Sequence, residues 1–186
     1  MRCRQIVFGI LMPMTLVAGP ADAAVTVAFV DPGSFTDIGD LERDPRQPLL
    51  AIERYLKSLG DHYLSPQDVL RIEVLNILLA GRPRLPWHAN SGVRIMTGEA
   101  DWPRIELRYT FDSDGTTSKP VDETVVDMEY LRRLGPRYAY ASLPYEKRML
   151  DEWFKARFAD RSRDKASISA AAAGDRHART SAQTDR

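Results

Sequence analysis

Cysteine is almost absent from this chain. Its single copy, Cys3, precedes the first apolar run, so a chain cleaved after that run has no thiol at all. Disulfides, thiolate nucleophiles and cysteine metal ligands are then excluded. Histidine is scarce as well: His62, His88 and His177 are the only copies, and no pair has the spacing of a zinc motif. The chain contains no G-x-S-x-G nucleophile elbow, no G-x-x-x-x-G-K phosphate cradle and no G-x-G-x-x-G dinucleotide turn. Nor is there an excess of basic charge. Lys+Arg and Asp+Glu number 26 each, and residues 24–158 carry 18 basic against 21 acidic side chains. A near-neutral body lacks the basic footprint that nucleic-acid binding needs to release counterions.

What is present begins with an export signal. Arg2 and Arg4 lead an apolar run over 6–17, Gly19 and Pro20 break it, and Ala21-Asp22-Ala23 is a small-x-small cleavage site. These are the three parts of a secretory signal peptide. The run is short against the ~20 residues needed to span a bilayer, so no membrane span is expected after cleavage. Residues 1–23 are therefore expected to be a signal peptide, 24–158 a single domain and 159–186 a disordered tail. The tail's only large apolar residue is Ile168, too little burial to offset its ordering entropy.

Within the body, 25–30 (VTVAFV) reads as a strand. Asp44 as N-cap, Pro45 at the first helical position and Gln47 three residues after the cap start a helix. Its apolar stripe is Leu49, Ile52, Leu56 and Leu59, and Gly60 stands where a helix ends. Residues 69–79 alternate and then become almost wholly apolar, as a strand does when one end passes under cover on both faces. Residues 104–111 alternate again, and Asp114-Gly115 turns the chain into a returning strand over 121–128. A short helical turn is expected over 127–134 and a second long helix over 144–158. The order β-α-β-β-β-α predicts an α+β fold, a small, mainly antiparallel sheet with two helices on one face.

The stretch FVDPGSFTDIGD at 29–40 has the composition of a ligand loop. Asp31, Asp37 and Asp40 are spaced by six and three residues, which is not the alternation of a calcium loop. Asp31-Pro32 favours a turn and aspartates bond backbone amides around glycines, so Asp37 and Asp40 are expected to bond their own backbone. An irregular cation site there, with Glu42 and Asp44, is the lesser reading, and no metal or cofactor is predicted. Two clusters pair arginines with aromatics: Arg82, Arg84, Trp87, His88 and Arg94, and then Arg132, Arg133, Arg137, Tyr138 and Tyr140. Aromatic faces stack on sugars or peptides, and guanidinium forks grip carboxylates or phosphates.

Four stretches, VTVAFVDPGSFTDIGD, DWPRIELRYTF, VVDMEYL and YEKRMLDEWFKARF, together resemble the exported bacterial proteins of the DUF3016 family, a domain of unknown function. The resemblance implies a periplasmic protein of Gram-negative bacteria and assigns no catalytic residue. Where it leads one to expect Asp-x-Asp-Leu-Ala-Gly, this chain reads Asn76-Ile77-Leu78-Leu79-Ala80-Gly81. The function expected is non-catalytic binding of an unknown envelope ligand or protein, over a surface drawn from Asp37, Asp40, Trp87, Arg94, Trp102, Arg104 and Asp127. The alternatives are a carboxylate-dependent hydrolase of cell-wall carbohydrate, with Asp37, Asp40 and Asp127 converging in a cleft, and a cation-binding domain.

Overall fold

The computed structural model describes residues 24–38, 44, 46–83 and 94–159. The expected signal peptide, the tail from residue 160, Asp40 and Trp87 lie outside the described residues. The elements are β1 (Ala24–Phe29), a 3-10 turn (Pro32–Ser34), α1 (Arg46–Tyr63), β2 (Val69–Leu78), β3 (Arg82–Pro83), β4 (Arg94–Ile95), β5 (Arg104–Ser113), β6 (Thr116–Thr117), β7 (Val121–Val126) and α2 (Pro144–Phe154).

The sheet runs β1-β2-β5, and β5 then pairs with both β6 and β7. β1 is parallel to β2, since α1 intervenes as a crossover, and every other pairing is antiparallel. The expected α+β class holds. Asp114 and Gly115 both take the left-handed backbone, at φ 53 and 74, which the tight turn between β5 and β6 requires. β3 and β4 pair with each other as a separate ribbon. Residues 127–134, expected as a helical turn, form only hydrogen-bonded turns, one of them closed by Arg132 N–H donating to the Glu129 carbonyl at 3.0 Å.

Strand alternation puts Leu70, Ile72, Val74, Ile105, Leu107, Phe111 and Val125 on one buried face. α1 lies over β1, α2 packs on β7, and the two helices touch. The opposite face is polar. There Arg108 forks to Asp122 at 2.6 and 2.9 Å and reaches Glu73 at 4.0 Å. A bulge between Val74 and Asn76 shifts the β2 register, so Ile77 rather than Asn76 drops into the core.

α1 starts as its sequence predicts, with Asp44 Oδ1 accepting from Arg46 N–H at 3.0 Å. It does not stop at Gly60. The helix continues to Tyr63, and Gly60 is a buried contact with β1. α2 is an α-helix to Phe154 and finishes in a π turn (Lys155–Ala159). That wider turn seats Phe158 among Trp153, Phe154, Tyr109 and Phe111, with ring centroids 4.8–5.8 Å apart.

An alanine in mid-helix normally gains about 1 kcal/mol over glycine. At Gly60 the added Cβ would overlap Val25 Cγ2, a stiff β-branched group with no free rotor to yield. Overpacking costs roughly 1–3 kcal/mol, so Gly60→Ala is expected to destabilise. Urea unfolding checks the sign, and adding Val25→Ala should recover part of the loss. A more stable Gly60→Ala protein would contradict the packing described.

Candidate functional site

β2 ends in a buried turn that no strand pairs. Residues 79–81 are all buried, so their backbone groups need partners from elsewhere. Leu79 N–H donates to the Asp37 carbonyl at 3.2 Å, Ala80 N–H to Glu146 Oε1 at 2.7 Å, and Gly81 N–H to the Asp101 carbonyl at 2.7 Å. The three carbonyls go to one side chain. Arg94 donates from Nε to Ala80 at 2.8 Å, and from Nη2 to Leu79 at 3.2 Å and to Gly81 at 2.7 Å. The same guanidinium forks onto the Asp37 carboxylate, at 3.2 and 2.5 Å. Arg94 and Asp37 side chains are only 15% and 14% exposed, so this is a largely desolvated pair.

The loop at 29–40 is held by the same end of β2. Asp37 forms a parallel bridge with Leu78. Asn76 accepts from Thr36 N–H at 2.9 Å and donates to Thr36 Oγ1 at 3.0 Å. An amide both accepts and donates, so here the Thr36 hydroxyl is the acceptor; with an ionised aspartate at position 76 it would have to turn and donate. Asp37, expected to bond its own backbone, makes a long-range pair with Arg94, which the polar turn composition gave no means of seeing.

Asp101 organises the arm that carries Arg94 back to β5. Its carboxylate accepts from Thr97 N–H at 2.7 Å, from Thr97 Oγ1 at 2.9 Å and from Tyr130 Oη at 2.9 Å. Burial pushes the Asp101 carboxyl up, but the bonds from Thr97 and Tyr130 outweigh it and hold it below the usual range. Burial, and then the bond to Asp101, push the Tyr130 phenol up to about 12.

The remaining predicted residues do not join this cluster. Asp127 pairs with Arg148 of α2 in a second buried ion pair, and Arg148 also reaches Glu152 at 2.7 Å. Asp37 bridges Leu78, which pairs with Arg104, which pairs with Val126, next to Asp127. Three strand spacings of ~4.8 Å put the two backbones about 14 Å apart, and each carboxylate is held by its own arginine, Asp37 by Arg94 and Asp127 by Arg148. Carboxylates acting as a glycosidase pair stand roughly 5–9.5 Å apart. Asp37 and Asp127 therefore do not converge as the hydrolase reading expected. Arg104 faces the polar side of the sheet, 3.7 Å from Glu106, and Trp102 is half-buried. Tyr138, expected at the surface, is buried and donates to Asp151 at 2.7 Å, while Tyr140 is fully exposed. Among the described residues, no group of three His, Cys, Asp or Glu side chains is placed to hold a metal ion.

A cavity of about 250 Å³ opens against the turn, lined by Leu79, Met96, Leu143, Tyr145, Arg94 and Glu146. Glu146 went unremarked as a site residue. The available signal was its place at i, i+3, i+4 and i+7 with Met149, Leu150 and Trp153, an acid on an apolar stripe.

The fold and this junction define a small α+β domain in which charged side chains fasten buried chain ends. The chain belongs to the family described as "Protein of unknown function (DUF3016)", whose model matches residues 23–156. No curated protein and no solved structure matches it.

Replacing Arg94 by lysine leaves buried carbonyls and the Asp37 carboxylate without the fork. It is expected to lower the unfolding free energy by roughly 3 kcal/mol, and equal urea midpoints for the two proteins would refute the clamp. Glu146 supplies a pH test. Its carboxyl is pushed up by burial, against the bond from Ala80 N–H. The folded state thus holds this proton more tightly than the unfolded chain, and the group's stabilising contribution falls as pH rises from the ordinary glutamate value through the folded one. Glu146→Gln keeps the acceptor and removes the proton. The variant should gain on the parent above that window and lose the advantage in acid; parallel stability–pH curves would contradict it.

Proposed function

We propose that this is an exported binding domain of the bacterial envelope, which engages a protein partner through the surface formed by residues 121–131. One observation carries the reading. Eight large apolar side chains are exposed among the described residues, and three of them, Val126, Met128 and Leu131, lie within six residues of chain and line the clefts beside it. Clustered exposure of this kind marks interaction sites, whereas single exposed apolar residues are ordinary. Two clefts flank it, of about 380 and 360 Å³, and they share Met128 and Glu129. Trp153 lines the larger one, and its indole N–H is buried without a hydrogen-bond partner.

By contrast, Asp37, Arg94 and Asp127, three of the charged residues nominated for binding, are engaged internally. Arg94 makes its bonds to Asp37 and the turn carbonyls, and Asp127 is bonded to Arg148. Export is supported by the cleavage tripeptide at 21–23 and by the family match, which opens at residue 23. No described helix is long and apolar enough to cross a membrane.

The test is made in Gram-negative cells expressing the full chain. The protein in the periplasmic fraction should begin at Ala24, and retention in the cytoplasm with Met1 intact removes the export half of the reading. A photo-crosslinking residue at position 128 should give a larger adduct, while the same residue at exposed position 54 should not. Adducts at neither site, or equally at both, remove the binding half.

A further inference from the structure

We infer that the partner at this surface is a second copy of the chain, joined by antiparallel pairing of β7 with β7 about a two-fold axis at Thr124. The inference rests on the reading of 121–131 as a binding surface and names its occupant.

β7 is hydrogen-bonded on one side only, to β5, and no described strand lies on its other side. Which groups face outward follows from the register. Arg104 pairs with Val126, so Pro103 stands opposite Asp127, and Asp127 N–H donates to the Pro103 carbonyl at 3.3 Å. Backbone direction alternates along an antiparallel strand. Val121, Glu123 and Val125 therefore bond toward β5, as Asp127 does. Asp122, Thr124 and Val126 present their N–H and C=O to the outside. A six-residue edge with three outward donor–acceptor pairs is a template for another strand.

The sequence of the edge selects its partner. In VDETVV, placing Thr124 opposite Thr124 of the second copy sets Asp122 against Val126 and Glu123 against Val125. No like charges meet, and the central Thr–Thr pair is a favourable cross-strand neighbour. Moving the axis to Asp122 or Glu123 would oppose each acid to its own copy, and moving it to Val125 would set Glu123 against Asp127. Moving it to Val126 would leave most of the strand unpaired. Only the Thr124 register is both long and free of repulsion, and it is isologous, so it closes at two copies. Side-chain direction fits as well. Val125 is buried under α2, so Thr124 points to the polar face, where it is exposed and free to be substituted.

The experiment uses the purified exported chain in sedimentation equilibrium, from micromolar to near-millimolar concentration. The expected mass rises from one chain to two. Thr124→Glu and Thr124→Lys should each stay at one chain mass, because like charges then meet on the axis. Mixing the two variants in equal amounts should restore the doubled mass, which a merely unfolded variant would not do. A parent that stays monomeric throughout overturns the inference. So do single variants that still dimerise, or a mixture that does not. A cross-linked adduct at position 128 whose mass differs from two chains leaves the binding surface standing and overturns its assignment to a second copy.

Discussion

The end of β2 sets the main constraint on this fold. A strand that stops in the interior leaves backbone donors and acceptors without a ladder, and each unpaired buried group costs about 1–3 kcal/mol. At residues 79–81 all six groups are matched, and each partner belongs to a different part of the chain: Asp37 after β1, Asp101 before β5, Glu146 in α2 and Arg94 in β4. Satisfying one turn thereby fixes the relative positions of four segments. Gly81 is required there, since at φ 75 a Cβ would overlap Met96 Sδ and stand 2.8 Å from the Ile95 carbonyl oxygen.

The same device recurs at smaller scale. Asp151 accepts from Tyr138 at 2.7 Å, from Lys155 at 2.8 Å and from Tyr63 at 3.3 Å, tying α1, the 127–143 segment and α2 together. Burial raises the Asp151 carboxyl, yet the bonds from Lys155 and Tyr138 prevail and hold it below the usual range. Apolar packing would tolerate several alignments of helix on sheet. Polar fasteners are satisfied in one alignment only, and a half-satisfied network is worse than none. The carboxylates that look like chemistry in the sequence are, in the fold, mostly joinery.

Legibility in the sequence follows the range of the interaction. Periodicity located α1, β2, β5 and α2 because it is written within each segment, and the Asp44 cap and the Asp114-Gly115 turn are local too. Gly60 was misread because a glycine near the end of a stripe resembles a terminator, whereas here it is small for the sake of Val25, 35 positions away in the chain. The Asp37–Arg94 pair spans 57 residues, so no spacing rule reaches it. Both residues were nominated, Asp37 for its turn and Arg94 for its aromatic neighbours, and neither reason is the one the structure supplies. Glu146, Arg148 and Asp151 all lie within eleven helical residues; the first interrupts an apolar stripe, a visible anomaly that α2's amphipathic pattern otherwise obscures.

Edge strands usually deter strangers by turning a charge inward, where an incoming strand would bury it. β7 carries such a residue, Glu123, on its helix-facing side. Arg157 of the π turn already forks onto it, Nη2 to Oε1 at 2.5 Å and Nε to Oε2 at 3.2 Å, so the charge is neutralised before any partner arrives. Arg157 comes within reach because Lys155–Ala159 is wound as a π turn after α2. A guard silenced by its own neighbour still excludes a strand bearing acid at the opposing position, yet admits one bearing valine. β7 read backwards offers that valine, so the feature that keeps the edge from pairing at random favours its own copy.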